Sequence, residues 1–312
     1  MKLKLFILLV LTSLFAIACN QPAATNQTSN STNSATTAST DKKKIGVTLL
    51  TREHQFYKDL EAGLKESAEK NGFELIVQSG DMDLAKQQSQ IENFIVQKVA
   101  AIIVCPADSK GIAPAIEKAN AANIPVFTAD IAASGGKVVS HIASDNVLGG
   151  KMAAEFIATQ LKDGGEVGII GQPEVQSTID REKGFKDEMA KHPNIKVVAT
   201  LNGGGVRDRA NKAADDMLQG NPNLKAIFAI NDDSALGALA SAETRGKKDL
   251  IIVGYDATPE AVSKIQGGTM LKADVAQDPK LIGSKTIETI AAHLKGEKVE
   301  AVVAIPVRIV DK

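Results

Sequence analysis

The feature that most constrains the fold is an alternation of short apolar runs with helical segments, which begins near Lys44. The runs, rich in Ile and Val, are Ile45–Leu50, Phe73–Val77, Ala101–Cys105, Ile124–Thr128, Val167–Ile170, Ile195–Leu201, Ala226–Ile230, Leu250–Tyr255, Ala273–Ala276 and Val302–Val310. Between most of them, apolar residues recur at helical spacing, as at Phe56, Leu60, Leu64 and Ala68. Continuous apolar strands are typical of parallel sheets covered on both faces, so the pattern predicts a doubly wound α/β fold. Because about 265 residues is long for one sheet, we expect two.

The first residues have the layout of a secretory signal. Two Lys among the first four residues precede a nearly unbroken apolar stretch at 5–17, which is too short to span a bilayer. It ends in Ala-Ile-Ala-Cys at positions 16–19, which resembles a bacterial lipobox, a cleavage site whose Cys receives lipid. We therefore predict a signal peptide at 1–18 and a lipidated Cys19 that anchors the protein to a membrane outside the cytoplasm. Plain signal cleavage beside an incidental Cys is the alternative interpretation.

A polar segment follows the predicted lipid site. Asn20 to Thr40 is almost entirely Asn, Gln, Ser, Thr, Ala and Pro, a composition that cannot bury a core. We therefore assign residues 19–43 to the lipidated Cys and a disordered tether, which lets a folded body stand off the membrane.

Cysteine content and net charge exclude several classes of site. Cys105 ends a strongly apolar run and is expected to be a small buried filler. The sequence has neither a disulfide framework nor a CxxC metal motif, so no metal site is predicted. A formal net charge of −1 provides no basic field for nucleic acid.

Polar side chains follow the ends of several predicted strands. They occur at Thr51–Tyr57, Asp130, Asn231–Asp233, Asp256 and Gln277–Asp278. Because ligands of open α/β sheets bind beyond the carboxyl ends of the strands, these side chains are expected to share a cleft. Carboxylates accept hydrogen bonds and Arg, Asn and Gln donate them, and a neutral polyhydroxyl ligand needs both. Phe56 and Tyr57 would supply flat apolar faces for sugar C–H groups. For Asn231, Asp233 and Asp256, capping of the following helix is the alternative interpretation.

The sequence offers little for catalysis. GxSxG, HExxH, P-loop and GxGxxG motifs are absent. His192 and His293 fall at predicted helix ends, where solvent exposure is expected, and His141 is expected to be structural. Gly203–Gly205 lies between a strand and a helix but lacks the Lys and the Ser or Thr of a phosphate loop. We therefore predict that the protein is not an enzyme and needs no cofactor.

Three stretches carry a specific resemblance to a known family. They are Val138–Lys151, Asn231–Leu239 and Val253–Pro259. With the rest of the body from about Lys44 to Lys312, they resemble the ribose-type sugar-binding proteins of bacterial ABC transporters, in the type I periplasmic binding protein family. The resemblance implies two doubly wound parallel-sheet lobes joined by a three-strand hinge, with a sugar held between them.

The same resemblance implies where each lobe begins and ends. The first lobe would comprise residues 44–145 and 278–305, and the second 146–277 and 306–312. The strand crossings would then lie near Asp145, Gln277 and Ile305. Such a connection favours hinge closure around a ligand that touches both lobes.

Carried over position by position, the resemblance also implies a set of ligand-binding residues. The set is His54, Phe56, Tyr57, Asp130, Arg181, Asn231, Asp256 and Gln277. Three positions depart from the family pattern, because ribose binders have Asn at the position of His54, Arg at Ile131 and an aromatic residue at Gly205. One charged donor and one stacking ring are therefore missing, and His54 offers a replacement donor. A sugar other than ribose is expected, since mismatched buried polar groups discriminate strongly.

These interpretations predict an extracytoplasmic solute-binding lipoprotein that binds a pentose, hexose, ketose or polyol and delivers it to the permease of an ABC transporter. A sensor that presents a sugar or furanone to a chemoreceptor or sensor kinase is the alternative, and one chain does not distinguish them. A sugar-responsive repressor is excluded because it needs a helix-turn-helix where this chain has an export signal. We expect a monomer whose partners are the sugar, the permease subunits and, through the lipid, the membrane.

Overall fold

The computed structural model describes residues 42–312, which fold into alternating strands and helices. The strands are β1 (Lys43–Leu49), β2 (Phe73–Ser79), β3 (Ala101–Val104), β4 (Val126–Ala129), β5 (Val138–Ser144), β6 (Gly165–Gly171), β7 (Ile195–Asn202), β8 (Leu224–Ala229), β9 (Ile251–Asp256), β10 (Leu271–Ala276), β11 (Val302–Ile305) and β12 (Arg308–Asp311). The helices are α1 (Gln55–Lys70), α2 (Leu84–Val96), α3 (Ala113–Ala121), α4 (Asn146–Gln160), α5 (Gln176–Met189), α6 (Arg207–Gly220), α7 (Asp232–Thr244), α8 (Pro259–Gln266) and α9 (Pro279–Leu294). The predicted signal peptide and Cys19, with nearly all of the predicted tether, lie outside the described residues.

Two sheets organise this part of the chain. In residues 42–312 the strand orders are β11-β5-β4-β3-β1-β2 in one six-stranded sheet and β12-β10-β9-β8-β6-β7 in the other. Neighbouring strands run parallel, except that β12 is antiparallel to β10. We call the first sheet with its helices lobe 1 and the second lobe 2. The predicted fold class, two parallel-sheet α/β lobes, is confirmed.

The chain passes between the two sheets at three places within the described residues. It leaves β5 of lobe 1 at Asp145, returns from β10 of lobe 2 through Gln277 and Asp278, and crosses again between β11 and β12. Pro306 lies at the last crossing. Because Pro has no N–H to donate, it ends the ladder of β11 and separates two strands. The apolar run at Val302–Val310 thus contributes one strand to each sheet.

Strand β5 has no counterpart among the predicted apolar runs. Its sequence, Val138–Ser144, is interrupted by Ser140 and His141. The imidazole Nδ1 of His141 lies 2.9 Å from the hydroxyl of Thr128 on the neighbouring β4, and burial lowers the pKa of His141 to about 4. The strand forms because this polar pair is satisfied across the sheet while Ile142 and Ala143 are buried.

Helices α4 and α5 of lobe 2 pack unusually close together, which matters for the site. A Cβ on Gly184 of α5 would lie against the carbonyl oxygen of Val147 on α4. A Cβ on Gly150 of α4 would lie against the backbone of Arg181 on α5. Only glycine permits this approach, which brings Arg181 to the inner wall of the lobe.

Within residues 42–312, no helix combines the length and the apolar character needed to cross a membrane.

Candidate functional site

One cavity between the lobes collects the residues that the sequence predicted. The space between atoms there, part of it open to solvent, is about 380 Å³. All eight predicted ligand-binding residues line it: His54, Phe56, Tyr57, Asp130, Arg181, Asn231, Asp256 and Gln277. Seven of them lie at strand ends or helix starts, as expected for the carboxyl edges of parallel sheets, and Arg181 lies in the second turn of α5.

Asp130 is the buried carboxylate of lobe 1. It follows β4 with a left-handed backbone, φ +64°, and is only 5% exposed. The hydroxyl of Tyr57 donates a 2.6 Å hydrogen bond to its Oδ2. Burial raises the pKa of Asp130, while the charge of Arg181 and the bond from Tyr57 oppose the rise. Because Tyr57 is the one side chain among the described residues that donates to it, the Asp130 carboxylate can accept further hydrogen bonds from a ligand. Its left-handed backbone is a strained conformation of the kind found at binding sites.

An aromatic wall stands beside this carboxylate. Phe56 and Tyr57 occupy the first turn of α1, and their rings meet edge to face with centroids 5.2 Å apart. Both side chains are almost fully buried. The arrangement fixes a flat apolar surface against which a sugar ring can pack.

Arg181 is the cation of the site, and several contacts hold it in place. Its Nε donates to Asn146 Oδ1 at 2.8 Å and its Nη1 donates to the carbonyl of Ile230 at 2.7 Å. The guanidinium carbon lies 3.8 Å from the centroid of the Tyr255 ring. These contacts orient a planar donor group that is buried in lobe 2.

Asp256 is the corresponding carboxylate of lobe 2. It ends β9 with φ +120°, and Gln277 Nε2 donates a 2.7 Å hydrogen bond to its Oδ1. Arg181 Nη1 lies 3.9 Å from the same oxygen. Burial raises the pKa of Asp256 well above its usual range, the charge of Asp232 adds to the rise, and Arg181 and Gln277 oppose it. Gln277 Oε1 is buried and has no hydrogen-bond partner among the described residues, so the site holds an unused acceptor.

Asn231 caps a helix and lines the cavity at the same time. Its Oδ1 accepts from the backbone N–H of Ser234 at 3.0 Å, as an N-cap of α7 does. Its Nδ2 donates to the carbonyl of Gly205 at 2.9 Å. The capping interpretation is thus correct for Asn231 and wrong for Asp256, because Thr258 caps α8. It is wrong for Asp233 too, which lies inside the first turn of α7.

Sequence reasoning missed Gln172, which lines the cavity beside the glycine-rich turn. A Cβ on Gly205 would lie 2.5 Å from Gln172 Oε1, so Gln172 occupies space next to the position where ribose binders have a ring. Gln172 follows β6 directly, and the strand-end rule that indicated the other residues would have found it. The remaining lining residues are Leu50, Ile131, Val175, Ser177, Thr178 and Ile230.

The two lobes touch beside the cavity. Ser109 of lobe 1 donates its backbone N–H to the carbonyl of Glu174 in lobe 2 at 3.0 Å. The hydroxyl of Ser109 accepts from the N–H of Gln176 at 2.9 Å. Val175, between these two residues, is 1% exposed and packs with the apolar cluster of lobe 1. The structure is therefore a closed arrangement in which the cavity is walled by both lobes.

The chemistry of the site is that of a binding pocket for a neutral polar molecule. Among the described residues, no group of three or more His, Cys, Asp or Glu is arranged to hold a metal ion. The cavity offers carboxylate acceptors from both lobes, one guanidinium, amide donors and an aromatic wall. Such a mixture can satisfy hydroxyl groups that both donate and accept.

The periplasmic binding protein domain matches residues 45–298 of this chain. The chain belongs to this family. Its members are solute-binding proteins rather than enzymes, and the match covers both lobes except for the last strands.

Curated relatives in the family extend the similarity to nearly the whole sequence. The chain is 35% identical over 313 residues to the ribose import binding protein of Bacillus subtilis (strain 168), covering 99% of each chain. It is 36% identical over 275 residues to the ribose import binding protein of Escherichia coli (strain K12), covering 87% of this chain and 91% of that protein.

Solved structures of the family have the same fold. An ABC transporter periplasmic solute-binding protein from Actinobacillus succinogenes 130z with bound D-allose matches with a TM-score of 0.80 at 28% identity, over 86% of this chain and 98% of that one. The Caulobacter myo-inositol binding protein bound to myo-inositol matches with a TM-score of 0.81 at 27% identity, over 86% and 94%.

Proposed function

We propose that this protein is an extracytoplasmic solute-binding lipoprotein, which binds a monosaccharide or related polyol between its lobes and delivers it to the permease of an ABC transporter. The observation that carries the proposal is the interlobe cavity, whose wall brings together acidic, basic, amide and aromatic side chains. The family membership and the sugars named for its relatives support the same function.

The binding mode follows from the polar groups on the two lobes. Asp130 of lobe 1 and Asp256 of lobe 2 accept hydrogen bonds from sugar hydroxyls, and Arg181 donates to a hydroxyl or ring oxygen. Gln277 Oε1, buried without a partner among the described residues, accepts another. A ligand held by Asp130 and Asp256 at once makes more contacts in the closed form, and therefore shifts the population toward closure. The permease can then distinguish loaded from empty protein by shape.

Calorimetric titration with a panel of D-ribose, D-allose, D-fructose and myo-inositol tests the pocket. We expect one or more of these to bind the wild type, and Asp130→Asn and Asp256→Asn each to weaken that binding by about 10- to 100-fold, the cost of a lost charged hydrogen bond. Asp249→Asn is the matched control, because Asp249 is exposed before β9, at the end of the strand opposite Asp256. Near-wild-type affinity in both pocket variants would mean that the sugar binds elsewhere on the protein.

Uptake in cells separates transport from sensing. Deleting the gene should abolish high-affinity uptake of the sugar found by calorimetry, and the wild-type gene should restore it. If uptake persists while a sugar-induced transcriptional or motile response is lost, the protein serves a sensor and the transport proposal fails.

The membrane anchor is tested separately at Cys19, which follows the signal-like stretch. We expect the wild type to be in the membrane fraction and Cys19→Ala to be released into the soluble exported fraction. Cys105→Ala is the control, because Cys105 is fully buried in lobe 1. A wild type that is itself soluble after export contradicts the anchor. Sedimentation of the soluble variant also tests the expected monomer.

A further inference from the structure

Two buried acids lie directly behind the wall of the cavity in lobe 2. Asp232 is the first residue of α7 and Asp274 lies on β10, and their exposures are 3% and 0%. Neither lines the cavity that contains the predicted ligand-binding residues. Nothing in the proposed binding mode uses them, although two enclosed carboxyl groups are costly to bury.

The facing oxygens of these two acids lie in one small space beside Gly254. Asp232 Oδ1 and Asp274 Oδ2 are buried, and no other group of the described residues bonds to either. The two side chains lie within hydrogen-bonding reach of each other. Gly254 is the cross-strand neighbour of Asp274, and a Cβ there would collide with Asp274 Oδ2 and lie 3.1 Å from Asp232 Oδ1. The absence of a side chain at Gly254 therefore leaves the space in which the two carboxyl groups meet.

Two carboxylate oxygens cannot bond to each other unless one of them carries a proton. Both are acceptors when ionised, and two buried negative charges in contact repel strongly. One proton between Asp232 Oδ1 and Asp274 Oδ2 removes the repulsion and satisfies both atoms. The pair then titrates as a unit rather than as two independent acids.

The other oxygens of the pair hold the loop that follows Asp256. Asp232 Oδ2 accepts from the backbone N–H and the hydroxyl of Thr258, each at 2.6 Å. Asp274 Oδ1 accepts from the backbone N–H of Ala257 at 2.9 Å. Asp256 and Ala257 have φ angles of +120° and +56°, which L-residues rarely adopt. Such a backbone persists only when its surroundings restrain it, and these three hydrogen bonds are the restraint.

We propose that Asp232 and Asp274 share one proton and act together as a positioning pair that fixes Asp256 in the sugar-binding cavity. The proposal rests on the proposed function, because it assigns Asp256 to sugar binding. A second proton leaves one hydroxyl without an acceptor between the two acids, loosens the turn at Ala257–Thr258 and displaces Asp256. Sugar affinity is therefore expected to depend on the protonation of a pair that does not touch the sugar.

The charges around the pair determine the pH at which it passes from two protons to one. Asp256 at the end of β9 adds negative charge, Arg181 on α5 adds positive charge, and Thr258 before α8 donates to Asp232. The negative charge of Asp130, in lobe 1, further raises the pKa of Asp256. Burial, together with Asp256, raises the pKa of Asp274 to about 7, and burial with the charge of Asp274 raises that of Asp232 well above its usual range. The hydrogen bond from Asp232 lowers the pKa of Asp274, whereas Asp274 raises that of Asp232, so Asp274 ionises first. The pair therefore holds two protons in mild acid and one shared proton above about pH 7.

Asp274→Asn is the sharpest test, because Asn reproduces the protonated acid. Its Oδ1 can accept from Ala257 and its Nδ2 can donate to Asp232 Oδ1. D-allose and myo-inositol are titrated by calorimetry between pH 6 and pH 9, and the one that binds the wild type at pH 8 is followed. The wild-type Kd is expected to fall by about 10-fold or more as the pH rises across this range, whereas that of Asp274→Asn stays within about 2-fold. Asp249→Asn, with the same change in net charge, should follow the wild type.

A second set of variants tests the shared proton itself. Asp232→Asn should also flatten the pH profile, because an amide facing Asp274 Oδ2 donates without titrating. The double variant places two NH₂ groups against each other and should lose far more affinity than the sum of the single changes. Circular dichroism establishes that each variant is folded. An Asp274→Asn profile that still follows the wild type overturns the proposal, because Asp130 or Asp256 then carries the pH dependence.

A spectroscopic readout does not depend on any sugar. Infrared difference spectra of the free protein should show the carbonyl band of a protonated carboxylic acid that disappears in the wild type between pH 6 and pH 9 and is missing in Asp274→Asn. If this band behaves as expected while no sugar binds, the proposed function fails and the shared proton stands. If the sugars bind but the band is absent or unchanged, the shared proton is refuted and the proposed function stands.

Discussion

His54 Nε2 lies 3.6 Å from Asp233 Oδ2, so the residue that precedes α1 in lobe 1 meets the first turn of α7 in lobe 2. Both side chains are largely enclosed, at 13% and 28% exposure. Burial lowers the pKa of His54, and the charges of Asp233 and Glu53 oppose the effect. When the lobes open, His54 returns to water and to an ordinary pKa of about 6.5. Closure is therefore coupled to the release of a proton from His54.

Sugar affinity is expected to fall by a few-fold as the pH is lowered from 7 to about 5. Above about pH 6.5 His54 is neutral in both forms, and closure carries no proton cost. Below that pH, His54 binds a proton more strongly in the open form than in the closed form, so protonation favours opening. The effect levels off once the pH falls below the lowered pKa of His54 in the closed form. In an Asp274→Asn background, where the buried pair does not titrate near pH 7, His54→Asn should remove this loss, as measured by calorimetric titration at pH 7, 6 and 5.

The control for this change is His192→Asn, because His192 follows α5 and is 38% exposed. It should keep the wild-type loss of affinity in acid. If His54→Asn also keeps that loss, protonation of Asp130 or Asp256 is responsible and His54 does not couple closure to pH.

The hydroxyl of Ser109 provides a way to weaken closure without touching the ligand. It accepts from the N–H of Gln176 across the lobes and does not line the cavity. Ser109→Ala is expected to reduce sugar affinity by about 2- to 10-fold, the contribution of one hydrogen bond. Ser89→Ala, which removes a bond inside α2, should leave the affinity unchanged.

Small-angle scattering checks that the effect of Ser109→Ala arises from closure. The radius of gyration of the wild type should decrease on saturation with sugar, and Ser109→Ala should reach the same value only at a higher sugar concentration. A scattering curve that does not change with bound sugar would mean that the empty protein is already closed, and recognition by shape would have to be abandoned.

Local patterns in the sequence predicted most of the architecture. Apolar runs mark parallel strands because both faces of each sheet are covered, as Ala101–Val104 and Val126–Ala129 are here. The pattern failed at β5, where His141 is paired with Thr128 on the neighbouring strand, and at Pro306, where one run contributes to two sheets. At β5 a tertiary contact decides which polar residue the strand tolerates, whereas at Pro306 the missing N–H of proline divides the run.

The site shows the same division between local and tertiary information. Residues at strand ends, such as Asp130 and Asp256, could be predicted because topology alone brings strand ends to one edge. The contact between Asp232 and Asp274 could not, because it depends on the register that sets Asp274 beside Gly254. Neither their separation in sequence nor their residue type indicates that Asp232 and Asp274 will lie side by side in the core.

Ribose is expected not to be the preferred sugar. Ile131, buried and beside Asp130, stands where ribose binders have Arg, and Gly205 and Gln172 occupy the region of their aromatic residue. The ribose hydroxyl that such an Arg would serve is left unpaired, which discriminates against it. Competition calorimetry should show a hexose, ketose or polyol binding about 10-fold or more tightly than D-ribose. A clear preference for D-ribose would mean that His54 and Gln172 replace the missing groups fully.

Arg181→Lys should reduce sugar affinity although the charge is kept. Lysine cannot donate to both Asn146 Oδ1 and the carbonyl of Ile230 in the same fixed geometry, nor stack on Tyr255. We expect a loss of about 10- to 100-fold in affinity and of about 1–3 kcal/mol in the free energy of unfolding. Arg245→Lys, at an exposed pair with Asp215, is the control and should change neither. Unchanged affinity in Arg181→Lys would show that only the positive charge matters at this position.

The pair of Asp232 and Asp274 should also determine how stability depends on pH. Because burial raises the pKa of Asp274 to about 7 from 3.8, the folded protein retains a proton that the unfolded chain has already lost. The stabilisation is fully present below pH 3.8 and is lost as the pH rises through about 7. The difference corresponds to at most about 4 kcal/mol. Asp274→Asn lacks this titration, so its free energy of unfolding relative to the wild type should rise between pH 5 and pH 8 and then level off. Urea unfolding across that range measures it, and a constant difference would mean that Asp274 is ionised throughout.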